Sequence, residues 1–176
     1  MVDFSQRHDS KTLILIRHGE ADWGLDDYNR PLTERGHRQA AQAGKWLLEQ
    51  GVVPQMMVSS AALRTRQTTT WVSDSLGEKA PTASLDERLY LCPPSALMTA
   101  INNVPPAVDS LMLVGHNPGI EDAAAQLMRQ DSAYEAAMEI SYGFAPASVA
   151  VFEVLGQWDE LVAGEAKLVA FRGFDG

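Results

Sequence analysis

Short runs in which nearly every residue is apolar alternate along this chain with longer stretches whose apolar residues recur every three to four positions. The first run, Thr12–Ile16, is rich in β-branched residues and predicts a strand buried on both faces. Ala21–Pro31 is polar and reads as a loop. Thr33 then offers a helix cap, and Ala40, Ala43, Gly44, Leu47 and Leu48 share one helical face until Gly51 and Pro54 stop the helix. Met56–Ser59 predicts a second strand and Ala61–Leu76 a second helix, with Gly77 past its end. Thr82–Leu85 predicts a short strand, Ser95–Ile101 a helix and Leu111–Val114 another buried strand. A helix with Pro118 in its first turn is expected to run to about Arg129.

Strands alternating with helices imply a largely parallel central sheet covered on both faces, a three-layer α/β/α sandwich. Ser148–Leu155 and Lys167–Phe171 lie close together, with Gly156–Gly164 between them as a hairpin connection, and are expected to pair antiparallel. The sheet would thus hold one antiparallel strand. Asp131–Pro146 carries no clear period and receives no element. No repeat, low-complexity tract or linker divides the chain, so residues 1–176 read as one domain, with residues 1–10 as a loose N-terminal extension.

Length and composition narrow the functional classes. A chain of 176 residues, 45% of them hydrophobic, can bury one sizeable core. No apolar run approaches the ~20 residues that span a bilayer, and the polar start lacks the apolar region of a secretory signal. With the single Cys92, these features predict a cytoplasmic protein with no membrane partner. A formal net charge of −9 disfavours nucleic acid as a partner. A phosphate could be bound only by concentrating positive charge locally.

That concentration is expected where ligands bind in such sheets, beyond the carboxyl ends of the strands. The first strand is followed by Arg17-His18-Gly19-Glu20, the second by Ser60-Ala61-Ala62-Leu63-Arg64, and the strand at 111–114 by Gly115-His116-Asn117. Two arginines and two histidines are thereby delivered to one edge. Arginine presents a planar fork that grips two phosphate oxygens, and a neutral imidazole can attack phosphorus and form a covalent intermediate. His116, if protonated, could donate to the equatorial oxygens. Gly19 and Gly115 are expected to let the backbone approach a bound anion, and the helix near Pro118 to aim free N–H groups at it. The four histidines of the chain show no metal-ligand spacing.

Arg17-His18-Gly19-Glu20 resembles the RHG signature of the histidine phosphatase superfamily, whose fold is phosphoglycerate mutase-like. Arg30-Pro31-Leu32-Thr33 through Gly36 is similar to the family's R-P-L-T-x-x-G element. Val58–Thr68, with Arg64, Gln67 and Thr68, is similar to its S-x-x-x-R-x-x-Q-T element, and Gly115-His116-Asn117 to its G-H-N/S block. The blocks occur in the family's order. The resemblance implies that His18 is phosphorylated and regenerated by water, that Arg17, Arg64 and His116 hold the phosphoryl group, and that no metal or other cofactor is required.

The proton donor stays open. Leu85-Asp86-Glu87-Arg88 is similar to the element that carries a glutamate acid in larger members, so Glu87 is one candidate and Glu20 another; a third reading has no donor at all. Glu87 could instead pair with Arg88 or Arg64. Arg30 could reach the phosphate or only anchor its loop. Trp23, Trp46, Trp71 and Trp158 are assigned to core or partly buried surface, and His8 and His37 to exposed positions. Length and the Glu-Ala after the signature look nearest to the small SixA-type phosphohistidine phosphatases. The expected substrate is therefore phosphohistidine on a signalling or phosphorelay protein of the histidine phosphotransfer type. A small phosphorylated metabolite is the alternative within the class, and a non-catalytic phosphate-binding module the alternative outside it.

Overall fold

A computed structural model of the chain describes residues 10–24 and 26–176. Its elements in chain order are β1 (Ser10–Arg17), α1 (Glu34–Glu49), β2 (Met56–Ser60), α2 (Leu63–Leu76), β3 (Ala83–Asp86), α3 (Pro94–Asn102), β4 (Ser110–Gly115), α4 (Gly119–Leu127), α5 (Tyr134–Ser141), β5 (Val149–Leu155) and β6 (Ala166–Arg172). The six strands form one sheet in the order β3-β2-β4-β1-β5-β6. Four central and edge strands run parallel, with Thr12 to Arg17 of β1 in register with Ser110 to Gly115 of β4. β5 is antiparallel to both β1 and β6, which makes it the single reversed strand.

Continuous apolar runs suit a strand covered on both sides. Leu13 and Leu15 face a core made with Leu97, Ile101, Ile120, Leu127 and Ile140, from α3, α4 and α5. Ile14 and Ile16 face a second core made with Ala40, Leu47, Val72 and Leu76, from α1 and α2. The three-layer sandwich follows directly. Among the described residues no helix is long and apolar enough to cross a membrane.

The structure departs from the sequence reading in several places. Ser10 already belongs to β1, and the remainder of the expected N-terminal extension, with His8, lies outside the described residues. α5 occupies the stretch given no element; it buries only Ala136 and Ile140, too few apolar residues to set a visible period. α4 stops at Leu127, two residues before the expected Arg129. His37 is half-buried and stacks on Trp71, with ring centroids 5.1 Å apart. Trp23 is 87% exposed, its ring lying under Arg30 at 4.8 Å, whereas Trp158 is a core residue whose indole N–H donates to the Val108 carbonyl.

Glycines at the start of α1 let this helix press on the loop after β1. A Cβ at Gly19 would stand 2.7 Å from the Gly36 carbonyl oxygen, and one at Gly36 would overlap the Glu20 carbonyl. The close approach that Gly19 permits is therefore between loop and helix, not between backbone and anion as expected from sequence. Gly115 likewise makes room for the Ile120 side chain. In a free helix Gly→Ala stabilises by about 1 kcal/mol. Here Gly36→Ala should reverse that sign and cost on the order of 1–3 kcal/mol through overpacking, read as a lower urea midpoint. A raised midpoint would show that the contact is not a constraint.

Candidate active site

Three parallel strands end side by side, and the residues after them converge. His18 follows β1, Arg64 lies in the first turn of α2 after β2, and His116 follows β4. Their exposures are 9%, 2% and 4%. The His18 and His116 ring centroids are 5.3 Å apart. The Arg64 Nε–H lies 3.3 Å from His18 Nε2. A cavity of about 340 Å³ is lined by Arg17, His18, Glu20, Ala21, Asp27, Arg30, Arg64, Leu91, His116, Asn117 and Pro146.

The His18 ring is fixed through its other nitrogen, with Nδ1 2.7 Å from the Gly19 carbonyl oxygen. A carbonyl can only accept, so Nδ1 carries the proton and Nε2 keeps its lone pair. Burial, ahead of the neighbouring cationic groups, pushes the His18 pKa down to about 3. The imidazole is thus neutral across the physiological range, as a nucleophile must be.

The elements around it are tied to one another by short bonds. The Thr68 hydroxyl donates to the Arg64 carbonyl at 2.8 Å and accepts from the Gly19 N–H at 3.1 Å. The Gln67 side chain accepts from Leu32 N–H, and the Gln39 side chain from Glu20 N–H. Ala147 N–H reaches the carbonyls of both Arg17 and His18, with a left-handed backbone at φ 61°. The Arg17 Nη1 donates to the Phe144 carbonyl at 2.9 Å, an acceptor shared with the Asn117 amide, while the buried Arg17 Nε has no partner.

His116 differs from its expected role. Burial and the charge of Arg64 push its pKa down to about 4, so at neutral pH it is not the protonated donor considered from the sequence. Its Nε2 lies 2.8 Å from the Ser60 hydroxyl. If Ser60 donates there, Nδ1 bears the hydrogen, and Nδ1 is buried without a partner. A neutral His116 in that tautomer still has one N–H to give. The first turn of α4 spends its Ile120 N–H on the His116 carbonyl, so this amide fixes the histidine and is not free for an anion.

The carboxylates are arranged differently from the sequence reading. Glu87 is exposed and does not line the cavity; both its oxygens accept from the Tyr28 hydroxyl. Arg88 pairs with Asp86 and Arg64 with Asp27, so neither pairs with Glu87. Glu20 lines the cavity, but its oxygens accept from Thr33 and Arg35. Arg30 lines it too, while bonding the Asp22 carbonyl and Asp27, so it anchors its loop at the cavity wall. Arg66 is exposed.

Asp27 is the residue that sequence reasoning missed. Its backbone carbonyl and carboxylate accept from the two Nη groups of Arg64 at 2.6 and 3.0 Å. Its carboxylate also accepts from Arg30 and from the Tyr90 hydroxyl. The Tyr90 bond, with the two arginines, holds its pKa well below the usual carboxylate range. Nothing in the local sequence separates Asp27 from Asp22 and Asp26.

Residues 13–93 match the model of the histidine phosphatase superfamily, branch 1. An uncharacterized protein of Mycobacterium tuberculosis is 36% identical over 161 residues, covering 89% of this chain and 98% of the relative. The chain belongs to the histidine phosphatase superfamily. The SixA protein from Nakamurella multipartitia superposes with a TM-score of 0.80 at 29% identity, covering 93% of this chain and 95% of that one. The protein histidine phosphatase SixA in complex with tungstate superposes at 0.71 with 21% identity, covering 92% and 96%. The phosphoglycerate mutase of Plasmodium falciparum, at 0.60 and 18% identity over 95% and 91%, shares the fold.

Both buried histidines bind protons more weakly folded than unfolded, where histidine titrates near 6.5. Their contribution to stability is full above about pH 6.5 and is lost as pH falls towards 4 and then 3. The urea midpoint should therefore fall between about pH 6.5 and 4.5, before most carboxylates titrate. A His18→Gln, His116→Gln double variant should flatten that slope. An unchanged slope would place the acid sensitivity elsewhere.

Proposed function

We propose that this histidine phosphatase superfamily member removes the phosphoryl group from phosphohistidine on a signalling or phosphorelay protein, through a phosphorylated His18. The His18 Nε2 lone pair attacks phosphorus in line, and the bond to the leaving nitrogen breaks with its electron pair going to the departing imidazole, which leaves neutral because its other ring nitrogen already carries a proton. Water then attacks phosphorus, the bond to Nε2 breaks, and inorganic phosphate leaves with His18 restored. Arg17 and Arg64 supply fixed positive charge, and together with the neutral His116 they supply donors to the phosphoryl oxygens, a role in which preorganised groups are worth most. Among the described residues no three His, Cys, Asp or Glu side chains are grouped to hold a metal ion. The mechanism needs no metal or other cofactor, because the guanidinium groups neutralise the phosphate.

The observation that carries the substrate choice is the state of the two carboxylates lining the cavity. Glu20 is engaged by Thr33 and Arg35, and Asp27 is held ionised by Tyr90, Arg30 and Arg64. Neither is poised to protonate an alkoxide. The imidazole of phosphohistidine leaves with far less acid assistance than an alkyl oxygen does. The likeness to the SixA-type protein, over nearly the full length of both chains, supports the same reading. We place it in a cytoplasmic setting, which the single Cys92, with no internal disulfide partner, supports.

A phosphohistidine-bearing phosphotransfer protein should be hydrolysed with a higher kcat/KM than sugar phosphates, and activity should survive chelator. Comparable turnover of sugar phosphates would overturn the substrate choice.

His18→Ala should lose turnover by a factor on the order of 10⁴ or more, together with any acid-labile phosphoprotein intermediate. Retention of a tenth of the activity would exclude His18 as nucleophile. Arg64→Ala should lower kcat/KM about a hundredfold, as expected for removing one preorganised donor. An unchanged kcat/KM would remove Arg64 from the phosphoryl site.

A further inference from the structure

Leu91 has a backbone that leucine rarely adopts. Its φ is 48°, in the left-handed region, where a side chain with a Cβ is strained. Glycine would make the same turn without that strain. The flanking chain is pinned on both sides, which explains why the turn is tight. Leu89 is buried in the core, and the Tyr90 ring meets the His116 ring edge-on at 5.5 Å while its hydroxyl bonds Asp27. On the other side the Cys92 carbonyl lies so near Gly119 that a Cβ there would stand 2.5 Å from it.

The turn accounts for the backbone but not for the side chain. A leucine retained for packing would be covered, yet Leu91 is 53% exposed. Its side chain lines the catalytic cavity, where the other apolar contributors are Ala21 and Pro146. It is the largest apolar side chain in a wall made mostly of charged and polar groups. The carboxylates of Glu20 and Asp27 share that wall.

We propose that Leu91 is a specificity-determining residue, packing against a flat ring on the leaving group that carries no negative charge. The inference rests on the phosphatase reading and deepens it. An imidazole attached to phosphorus meets both conditions, since it is planar and becomes neutral or cationic on departure. A leaving group bearing its own carboxylate or second phosphate would face Glu20 and Asp27, and an open-chain one would gain little from the leucine.

Leu91→Gly and Leu91→Asn test this cleanly, because both residues tolerate the left-handed backbone and neither supplies an apolar surface. Three substrates whose leaving groups depart neutral or cationic are compared in each variant: phosphoimidazole, phosphohistamine and the acyclic phosphoramidate. For both ring substrates kcat/KM should fall about tenfold, with phosphoramidate changed less than about twofold, in line with the value of a lost apolar contact. The melting temperature should stay level or rise in Leu91→Gly. An equal fall on all three substrates, or no fall on the ring substrates, overturns the role given to Leu91 while leaving the phosphatase intact. A wild-type protein that hydrolyses none of the three overturns the phosphatase reading and this inference with it.

Discussion

A buried guanidinium must have its charge answered before any substrate arrives, and most of the site follows from how this chain answers Arg64. With 2% exposure, the group has little water to solvate it. An uncompensated charge in that position would cost several kcal/mol. Asp27 meets the demand twice, with a backbone carbonyl and a carboxylate, and its own remaining charge is shared by Arg30 and Tyr90. The consequence runs outward. The loop between β1 and α1 has to fold back over the strand ends to deliver Asp27, and in doing so it brings Glu20 and Arg30 to the cavity wall. The consequence also runs inward. With both Nη groups occupied, the Nε–H is left facing His18 Nε2, where a transferred phosphoryl group would be made.

His18 experiences the same environment from the other side. Burial and surrounding positive charge both oppose its protonation, and the Gly19 carbonyl, though it favours the charged form, is outweighed. One set of groups therefore serves two purposes. Before reaction it keeps the imidazole neutral, with the Nε2 lone pair accepting from the Arg64 Nε–H. Once phosphate is present it meets negative charge that water cannot reach.

The parts of this arrangement visible in the sequence are those that regular structure dictates. Thr12–Ile16 and Leu111–Val114 read as buried strands because both faces are covered, and the residues following them had to emerge at one edge. His18, Arg64 and His116 could be brought together on that ground. Asp27 could not, because it sits in an irregular loop among other aspartates and is selected only by the fold of that loop. Glu87 was misplaced for a related reason. The short turn Glu87–Leu89 directs it to Tyr28, and turn direction leaves no trace in periodicity. The charge state of His116 was hidden as well, since it depends on burial beside Arg64.

The one reversed strand has a physical reason to be where it is. Parallel strands all finish at the ligand edge and so can supply only the residues that follow them. β5 runs the other way and starts there, with Val149 opposite Ile16. The chain entering it must cross the site, and this brings the Phe144 carbonyl to Arg17, Pro146 to the cavity wall and the Ala147 N–H to the carbonyls of Arg17 and His18. A parallel strand in the place of β5 would have left Arg17 without that acceptor and the RHG loop without that clamp. Ala147 holds a left-handed backbone at 0% exposure, a conformation that persists only where surrounding contacts over-determine it. The bonds to Arg17 and His18 provide that determination. The antiparallel strand is thus the means by which the fold closes the fourth side of a site that parallel strands alone would leave open.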